Sequence, residues 1–394
     1  MGFSQTPGRH QNGKKSYHQI GLVRGQFGGV DFGTWIQFLQ DAGFDGYEEA
    51  TWEEQFDIRQ GDTDAGAAAY AKKRLDVAQK HGLEIFTLAT HLQGQVLGDE
   101  PSAKTLNFCR GSGQARGAYK AWRQAGNNPP RTDPYYVPPE VGQLIHAEAQ
   151  KDLMACARIA GHLSKLQNRK VALPGFVGSP ANCWSHWFLF PPLPGNIEGY
   201  DLPDVRELSL ELLVERFAPV WDLCKQYGIT YDLECHPSER AMGDLESAGD
   251  YINFMNKAGY EGVVGFNLDG SHLEWQNVSV IEFIREFKDY IHCAHVKGVW
   301  VSREHCRAGR LGGHRPMGHW SNGWNFVTAG TARDANSLEE IFIELNRVGY
   351  DGAVSIEWED NDADQFAGAK AALANCLKAD LPPSGMRHDD MLKG

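Results

Sequence analysis

The sequence predicts a single (β/α)8 TIM barrel carrying long insertions after strands 3, 4 and 7. Three observations carry that prediction. One junction recurs along the chain: Ala42-Gly43-Phe44-Asp45-Gly46, Ala258-Gly259-Tyr260-Glu261-Gly262 and Val348-Gly349-Tyr350-Asp351-Gly352, with looser versions at His81-Gly82-Leu83 and Tyr227-Gly228-Ile229. Each ends a helix on glycine, the residue that tolerates the left-handed position after a helix, and begins a strand within three residues. Repetition of that device indicates parallel βα units with short connections on one side. The second observation is the strand that follows Gly352. Val354, Ile356 and Trp358 form a large apolar face, and Ala353, Ser355, Glu357 and Glu359 form a face that turns acidic at the C-terminal end. Helices cover the outside of a barrel and chemistry occupies its top, which suits that pattern. The third is that every long insertion follows a strand, on the side where a barrel keeps its active loops.

The elements follow in order. Strand 1 is expected at 19–25, with a helix over 33–42 carrying Trp35, Ile36 and Leu39. Strand 2 covers 45–51 and an alanine-rich helix 64–81. Strand 3 covers 84–91. A Gly-, Pro- and Asn-rich segment then runs from 92 to about 141 before a helix over 143–164 and strand 4 at 170–175. A second insertion, 176 to about 203, is rich in Pro and aromatics. A helix over 205–227 leads to strand 5 at 229–236, a helix over 245–258 to strand 6 at 262–269, and a helix over 280–288 to strand 7 at 291–297. A third insertion, 298 to about 336, precedes the helix 338–348 and strand 8. A last helix covers 365–377. Residues 1–15 read as a flexible polar arm, 16–380 as the barrel domain and 381–394 as a polar tail.

Composition narrows the partners. The chain has 394 residues, 42% hydrophobic and 23% charged, as soluble globular proteins do. It contains no run of ~18 apolar residues, so no membrane-spanning helix is expected. The formal net charge of −13 argues against a nucleic-acid partner, which is bound through basic surfaces. Eight cysteines are scattered without a Cys-x-x-Cys pair, which points to reduced thiols and a cytoplasmic setting.

The alternation of strand 8 repeats in strands 5 to 7. Tyr231, Leu233 and Cys235 oppose Thr230, Asp232, Glu234 and His236. Val264, Phe266 and Leu268 oppose Gly265, Asn267 and Asp269. His292, Ala294 and Val296 oppose Cys293, His295 and Lys297. Four consecutive strands thus direct Glu234, Asp269, His295 and Glu357 at one barrel mouth. Three carboxylates aimed at one point repel strongly at low dielectric, and a divalent cation removes that cost. Three oxygen donors with one imidazole suit Mn²⁺, Co²⁺, Mg²⁺ or Fe²⁺ rather than a thiolate-type zinc site, and Mn²⁺ is the first choice.

Leu233-Glu234, Asp269-x-x-His272, His295-Val296-Lys297 and Gly349-Tyr350-Asp351-Gly352 followed by Ile356-Glu357 resemble the xylose-isomerase-like TIM-barrel superfamily, in its sugar phosphate isomerase/epimerase branch. The likeness covers roughly residues 40–360. It implies that Glu234, Asp269, His295 and Glu357 bind the metal. It also implies that Glu234 and Glu357 exchange protons with a sugar from opposite sides and that His272 touches substrate hydroxyls. Glu48 and His91 match positions lining the pocket. Epimerases of the family carry a substrate-binding Arg soon after the strand 7 His. Here Val299 and Trp300 intervene before Arg303, the candidate for that contact. Ala329-Gly330-Thr331-Ala332-Arg333-Asp334 replaces the usual short Gly-rich loop before the last helix.

A carbonyl and its neighbouring hydroxyl chelated at such a site give an acidic α C–H and a stabilised enediolate. Return of the proton on the other face is epimerisation, and return at the adjacent carbon is isomerisation. Lys297 is placed to stabilise the developing oxyanion, or else to pair with Glu357 or Glu359. His236 is read as fixing Glu234 by a hydrogen bond, and Glu48 as orienting His91 or as part of a buried pair. A 3-keto glycoside offers another outcome, in which deprotonation at C2 expels the C1 substituent by β-elimination. A non-catalytic sugar-binding subunit is a third reading. The expected partner is a small carbohydrate, and the protein is expected to be a homo-oligomer.

The insertions carry Trp122, Tyr135, Tyr136, Trp184, Trp187, Phe188, Trp300, Trp320 and Trp324, which either pack the loops down or offer flat faces to a sugar ring. His305, Cys306, His314 and His319 fit no familiar zinc spacing. Arg303, Arg307, Arg310 and Arg315 are read as an anion site or as partners of a neighbouring subunit.

Overall fold

Side-chain caps start the helices and left-handed residues stop several of them. In the computed structural model, residues 16–187, 190–236, 243–302, 304, 306–311, 315–384, 389 and 392 are described. The proposed arm, residues 1–15, lies outside them. Helix α1 (Phe32–Ala42) begins where the Asp31 carboxylate accepts the Thr34 N–H at 3.0 Å. The equivalent caps are Thr63 for α2 (Asp64–Lys80), Asp204 for α4 (Val205–Tyr227), Asp244 for α5 (Leu245–Lys257), Ser279 for α6 (Val280–Glu286), Ser337 for α7 (Leu338–Val348) and Asp364 for α8 (Gln365–Ala379). Helix α3 (Pro139–Gln167) instead starts on Pro139, whose fixed φ and absent N–H suit a first turn. Gly349, at φ 78°, ends α7 and turns the chain into the last strand.

Eight strands follow the expected order: β1 (Ile20–Val23), β2 (Gly46–Ala50), β3 (Glu84–Ala89), β4 (Leu173–Gly175), β5 (Tyr231–Glu234), β6 (Val264–Asp269), β7 (Ile291–Val296) and β8 (Val354–Ile356). They form one sheet in the order β3-β2-β1-β8-β7-β6-β5-β4. Its two end strands are themselves joined by a parallel bridge between Thr87 and Ala172, and the Leu88 N–H donates to the Ala172 carbonyl at 3.1 Å. Every strand therefore neighbours the strands before and after it in sequence, which is the topology of an α/β TIM barrel. Ile20 lies opposite Val354, and Ser355 opposite His295.

The chain packs as two compact units, residues 48–267 and the residues on either side of that span, with the boundaries inside β2 and β6. In the second of these, Trp35 of α1 meets Tyr47 edge-on at 5.1 Å, both fully buried. In the 48–267 unit, Phe217 and Trp221 of α4 stack at 5.5 Å, and Phe217 meets Tyr231 of β5. Full burial of such a side chain contributes about 1.5–3 kcal/mol. No helix among the described residues is long and apolar enough to cross a membrane.

The structure differs from the sequence reading chiefly in the insertions. The first is largely helical, with helices at His91–Gly98, Ala103–Leu106 and Gln114–Gln124, and α3 begins earlier than expected. Strand 3 stops at Ala89, so His91 starts a helix. The second insertion holds the helix Cys183–Trp187 and a two-residue ribbon, Asn196–Ile197 with Tyr200–Asp201. In the third, Gly298–Val301 pairs antiparallel with Trp324–Val327. A Cβ on Gly298 would stand 2.5 Å from the Val327 carbonyl oxygen, so the close approach of this hairpin requires glycine there. Strand 8 ends at Ile356, earlier than its alternation implied. Glu357 continues the ladder only through its N–H, which donates to the Val296 carbonyl at 3.0 Å.

Candidate metal centre and active site

In the unit that holds β7 and β8, the ends of three strands converge. Asp269 closes β6 and also caps the short helix Gly270–Glu274, its Oδ1 accepting the Ser271 N–H at 2.8 Å. His295 sits near the end of β7, and its Nδ1 is 3.3 Å from Glu357 Oε2. Asp269, His295 and Glu357 each offer a ligand atom, all within 4.8 Å of one another. Asp269 is fully buried and His295 nearly so. Asp269 Oδ2 is buried and accepts no hydrogen bond among the described residues, although Lys297 Nζ lies 3.2 Å away and His272 Nε2 3.6 Å. Two carboxylates and an imidazole with a carboxylate oxygen left over are a donor set that fits a divalent cation.

Lys297 is the cation these carboxylates share. Its Nζ donates to Glu357 Oε2 at 2.6 Å and lies 3.8 Å from Glu359 Oε2. The alternatives read from sequence, Glu357 or Glu359 as partner, are both realised, and Asp269 is a third partner that was not foreseen. Glu359 also accepts from Gln26 Nε2 at 2.6 Å. Burial pushes the Glu359 carboxyl above the ordinary range. Lys297 opposes this and the neighbouring Glu357 carboxylate adds to it. Three carboxylates around one ammonium leave this pocket with a surplus of two negative charges when all ionise.

The other unit prepares Glu234. This residue ends β5 and lies opposite Asn267 of β6. Asn267 Nδ2 donates to Glu234 Oε2 at 3.0 Å, and His91 Nε2 lies 3.1 Å from the same oxygen. His91 thus sets an imidazole beside the Glu234 carboxylate. His236 meets Glu234 through its own backbone N–H, which donates to the Glu234 carbonyl at 2.7 Å. The Phe176 ring packs against both His91, at 4.7 Å, and His236, at 4.8 Å. Glu48 is buried and accepts a short hydrogen bond from Thr87 Oγ1. Arg303, His305 and His314 lie outside the described residues, as does Phe188.

Sequence reasoning did not use Asn267, Gln26 or Phe326. Asn267 stood on the correct face of β6 and two residues before Asp269, a signal that was available. Gln26 lies past the end of β1, where no alternation reports on it. Phe326 comes from the far arm of the insertion hairpin. Of the insertion aromatics, Trp122 stacks on Tyr119 at 5.6 Å, Trp187 lies under the Arg206 guanidinium at 4.3 Å, and Trp324 stacks on Trp275 at 4.6 Å and 7°. These three pack within the protein. Trp320 is 71% exposed, with Arg307 over its ring. Arg310 donates to the Trp275 carbonyl at 3.0 Å.

Comparison with known proteins bears on the family and the fold. The family model for the xylose isomerase-like TIM barrel matches residues 185–379. The protein YfiH of Bacillus subtilis (strain 168) is 33% identical over 112 residues, a match that covers 28% of this chain and 36% of that protein's length. Among solved structures, the 3-keto-D-glucoside 4-epimerase YcjR of E. coli superposes with a TM-score of 0.52 at 13% identity, over 92% of this chain and 99% of that one. The IolI protein, solved with a bound zinc atom, gives a TM-score of 0.50 at 14% identity, over 92% of this chain and 96% of its own. At these identities the superpositions speak for the fold.

Proposed function

Because the chain belongs to the xylose isomerase-like TIM-barrel superfamily, we propose that it is a divalent-metal-dependent sugar isomerase or epimerase acting on a keto sugar or keto-glycoside through an enediolate. The observation that carries this reading is the trio Asp269, His295 and Glu357, the first two buried and the third half-buried, with ligand atoms within 4.8 Å of one another and more carboxylates than cations around it. Glu234 is the fourth ligand. Its support is local: Asn267 donates to it, and Asp269 follows two residues later on the same face of the same strand. Mn²⁺ is the preferred ion, with Co²⁺, Mg²⁺ or Fe²⁺ as substitutes that an oxygen-rich set also accepts. When bound, the ion supplies Lewis acidity toward a substrate carbonyl and its neighbouring hydroxyl.

The chain's own residues do the rest. One carboxylate, Glu234 or Glu357, removes the proton α to the carbonyl, and the other delivers a proton to the opposite face. Each is held by fixed donors, Glu234 by Asn267 and His91 and Glu357 by Lys297, so neither has to reorganise as it works. Lys297 donates to the oxyanion as charge develops there. His272, on the turn after Asp269, contacts a substrate hydroxyl, and Glu48 and His236 are the further substrate contacts this reading assigns. The protein named as a 3-keto-glucoside epimerase supports a keto-glycoside as one substrate class.

A second reading begins with the same proton. If C2 of a 3-keto glycoside is deprotonated and the C1–O bond breaks, the aglycone leaves as its alcohol and an enone remains. The long insertions after strands 3, 4 and 7 favour considering it, because large loops at a barrel mouth suit a substrate bigger than a free monosaccharide. The test is one incubation. Candidate ketohexoses and 3-keto glucosides are kept with protein and Mn²⁺ in D₂O and followed by NMR. Deuterium at a single carbon α to the carbonyl, dependent on metal, is the expected result. Release of aglycone moves the assignment to the lyase, and no exchange with any of them sinks both readings.

A further inference from the structure

The third insertion reaches the site through one ring. Phe326, on the second strand of the hairpin, is 8% exposed. Its face carries Lys297 Nζ at 4.5 Å from the ring centre, and its edge geometry with His272 is near perpendicular, at 5.5 Å and 88°. Two side chains that the proposed function assigns to substrate therefore rest on one aromatic ring supplied from outside the barrel strands.

That ring is itself braced. Trp324 lies 5.2 Å from Phe326 and stacks flat on Trp275, which follows the helix carrying His272. Trp275, Val299, Val301 and Phe326 form a buried cluster, packed by Trp324 and Ala335. Polar contacts lock the base of the hairpin. Asp334 accepts the N–H groups of Val299, Gly330 and Asn336 at 2.8–3.0 Å, and Asn336 Nδ2 donates to the Lys297 carbonyl at 3.3 Å.

We infer that Phe326 is a positioning residue: the insertion hairpin uses it to hold the Lys297 ammonium and the His272 ring in their working places. A cation over a desolvated aromatic face is attracted to the ring quadrupole and excluded from directions off it. With three carboxylates in reach of Lys297, the ring selects which arrangement of the ammonium persists. The role as positioning residue rests on the proposed function; the contact itself does not.

The experiment therefore has two arms on the full chain. In protein with ¹³C-labelled lysine, the Lys297 ε-methylene, assigned by loss of its signal in Lys297→Arg, is expected upfield of the other lysines because it lies over a ring. That displacement is expected to vanish in Phe326→Leu and to survive in Phe326→Tyr. In the second arm, kcat/KM for deuterium exchange is expected to fall roughly tenfold in Phe326→Leu, the scale of a desolvated cation–π contact. The loss falls on kcat rather than KM, and Phe326→Tyr restores it. An undisplaced Lys297 methylene in the wild type overturns the inference, as does equal loss of exchange in the Leu and Tyr variants. A wild type that shows the displacement but exchanges no sugar overturns the proposed reaction instead.

Discussion

Two charge clusters, one in each unit, differ in balance. Lys297 is in reach of three carboxylates, at 2.6, 3.2 and 3.8 Å. Arg110 meets Asp152 of α3 in a one-to-one pair, with both side chains at least nine-tenths buried. The second cluster is nearly neutral and pins the first insertion to α3. Burial raises the Asp152 carboxyl to about 7, against the pull of Arg110, so it can also discharge by taking up a proton. The first cluster holds more charge than its own lysine can offset, and its acids sit at strand ends on a barrel mouth. A balanced pair builds structure. The imbalance of the other is what the proposed cation site rests on.

The comparison breaks most sharply at Glu357. Glu357→Gln is expected to lower metal-dependent deuterium exchange by at least ~10²-fold, the scale of a lost proton carrier, while circular dichroism stays that of the wild type. Wild-type exchange in that variant would remove Glu357 from the chemistry. Metal removal comes next. At a Mn²⁺ concentration ~100 times its dissociation constant, ligation contributes about 2.7 kcal/mol to stability, so chelation should lower the unfolding midpoint. The same chelator should leave the midpoint of Glu357→Gln shifted far less. An equal response in both would mean the ion binds elsewhere.

At the balanced cluster the handle is pH. The Asp152 carboxyl is harder to ionise in the fold than in the unfolded chain. Its contribution is therefore favourable at low pH and is lost as pH rises from about 4 through about 7, each tenfold change in proton affinity being worth ~1.4 kcal/mol. Urea titrations across that range should show a shallower decline for Asp152→Asn than for the wild type. The smallest effect is expected at Glu359→Gln. It removes one of the three negative charges and leaves a group that can still meet Gln26, so Mn²⁺ affinity measured by calorimetry should change by less than about tenfold.

What the sequence disclosed follows the range of the interactions. The helix–glycine–strand junctions are local, and α7 and its stop at Gly349 fall where the pattern put them. The acidic strand ends were legible because alternation is a property of one strand at a time. Contacts between distant segments were not. His91 and Glu234 are 143 residues apart, and no spacing rule joins them. The hairpin of the third insertion pairs Val301 with Trp324 across a Gly- and Arg-rich stretch, and its aromatic residues read equally well as a lid until that register is known. Lys297 lay between: its candidate acids could be named from neighbouring strand ends, but the share each takes depends on tertiary placement.

The ring order of the sheet has a kinetic corollary. Most neighbouring strands are also close in sequence, but β1 meets β8 with Ile20 opposite Val354. Beside that seam, the His18 N–H donates to Asp380 Oδ2 at 2.7 Å and the His18 ring lies 2.9 Å from Asp380 Oδ1, tying segments 362 residues apart. Closing so long a loop costs the most chain entropy of any pairing in the sheet, so it belongs late in assembly. Glu357 immediately follows the strand that makes this closure. Its carboxylate reaches His295 and Lys297 through the pairing of β8 with β7, which lies close in sequence, so these charged strand ends can meet before the ring is shut.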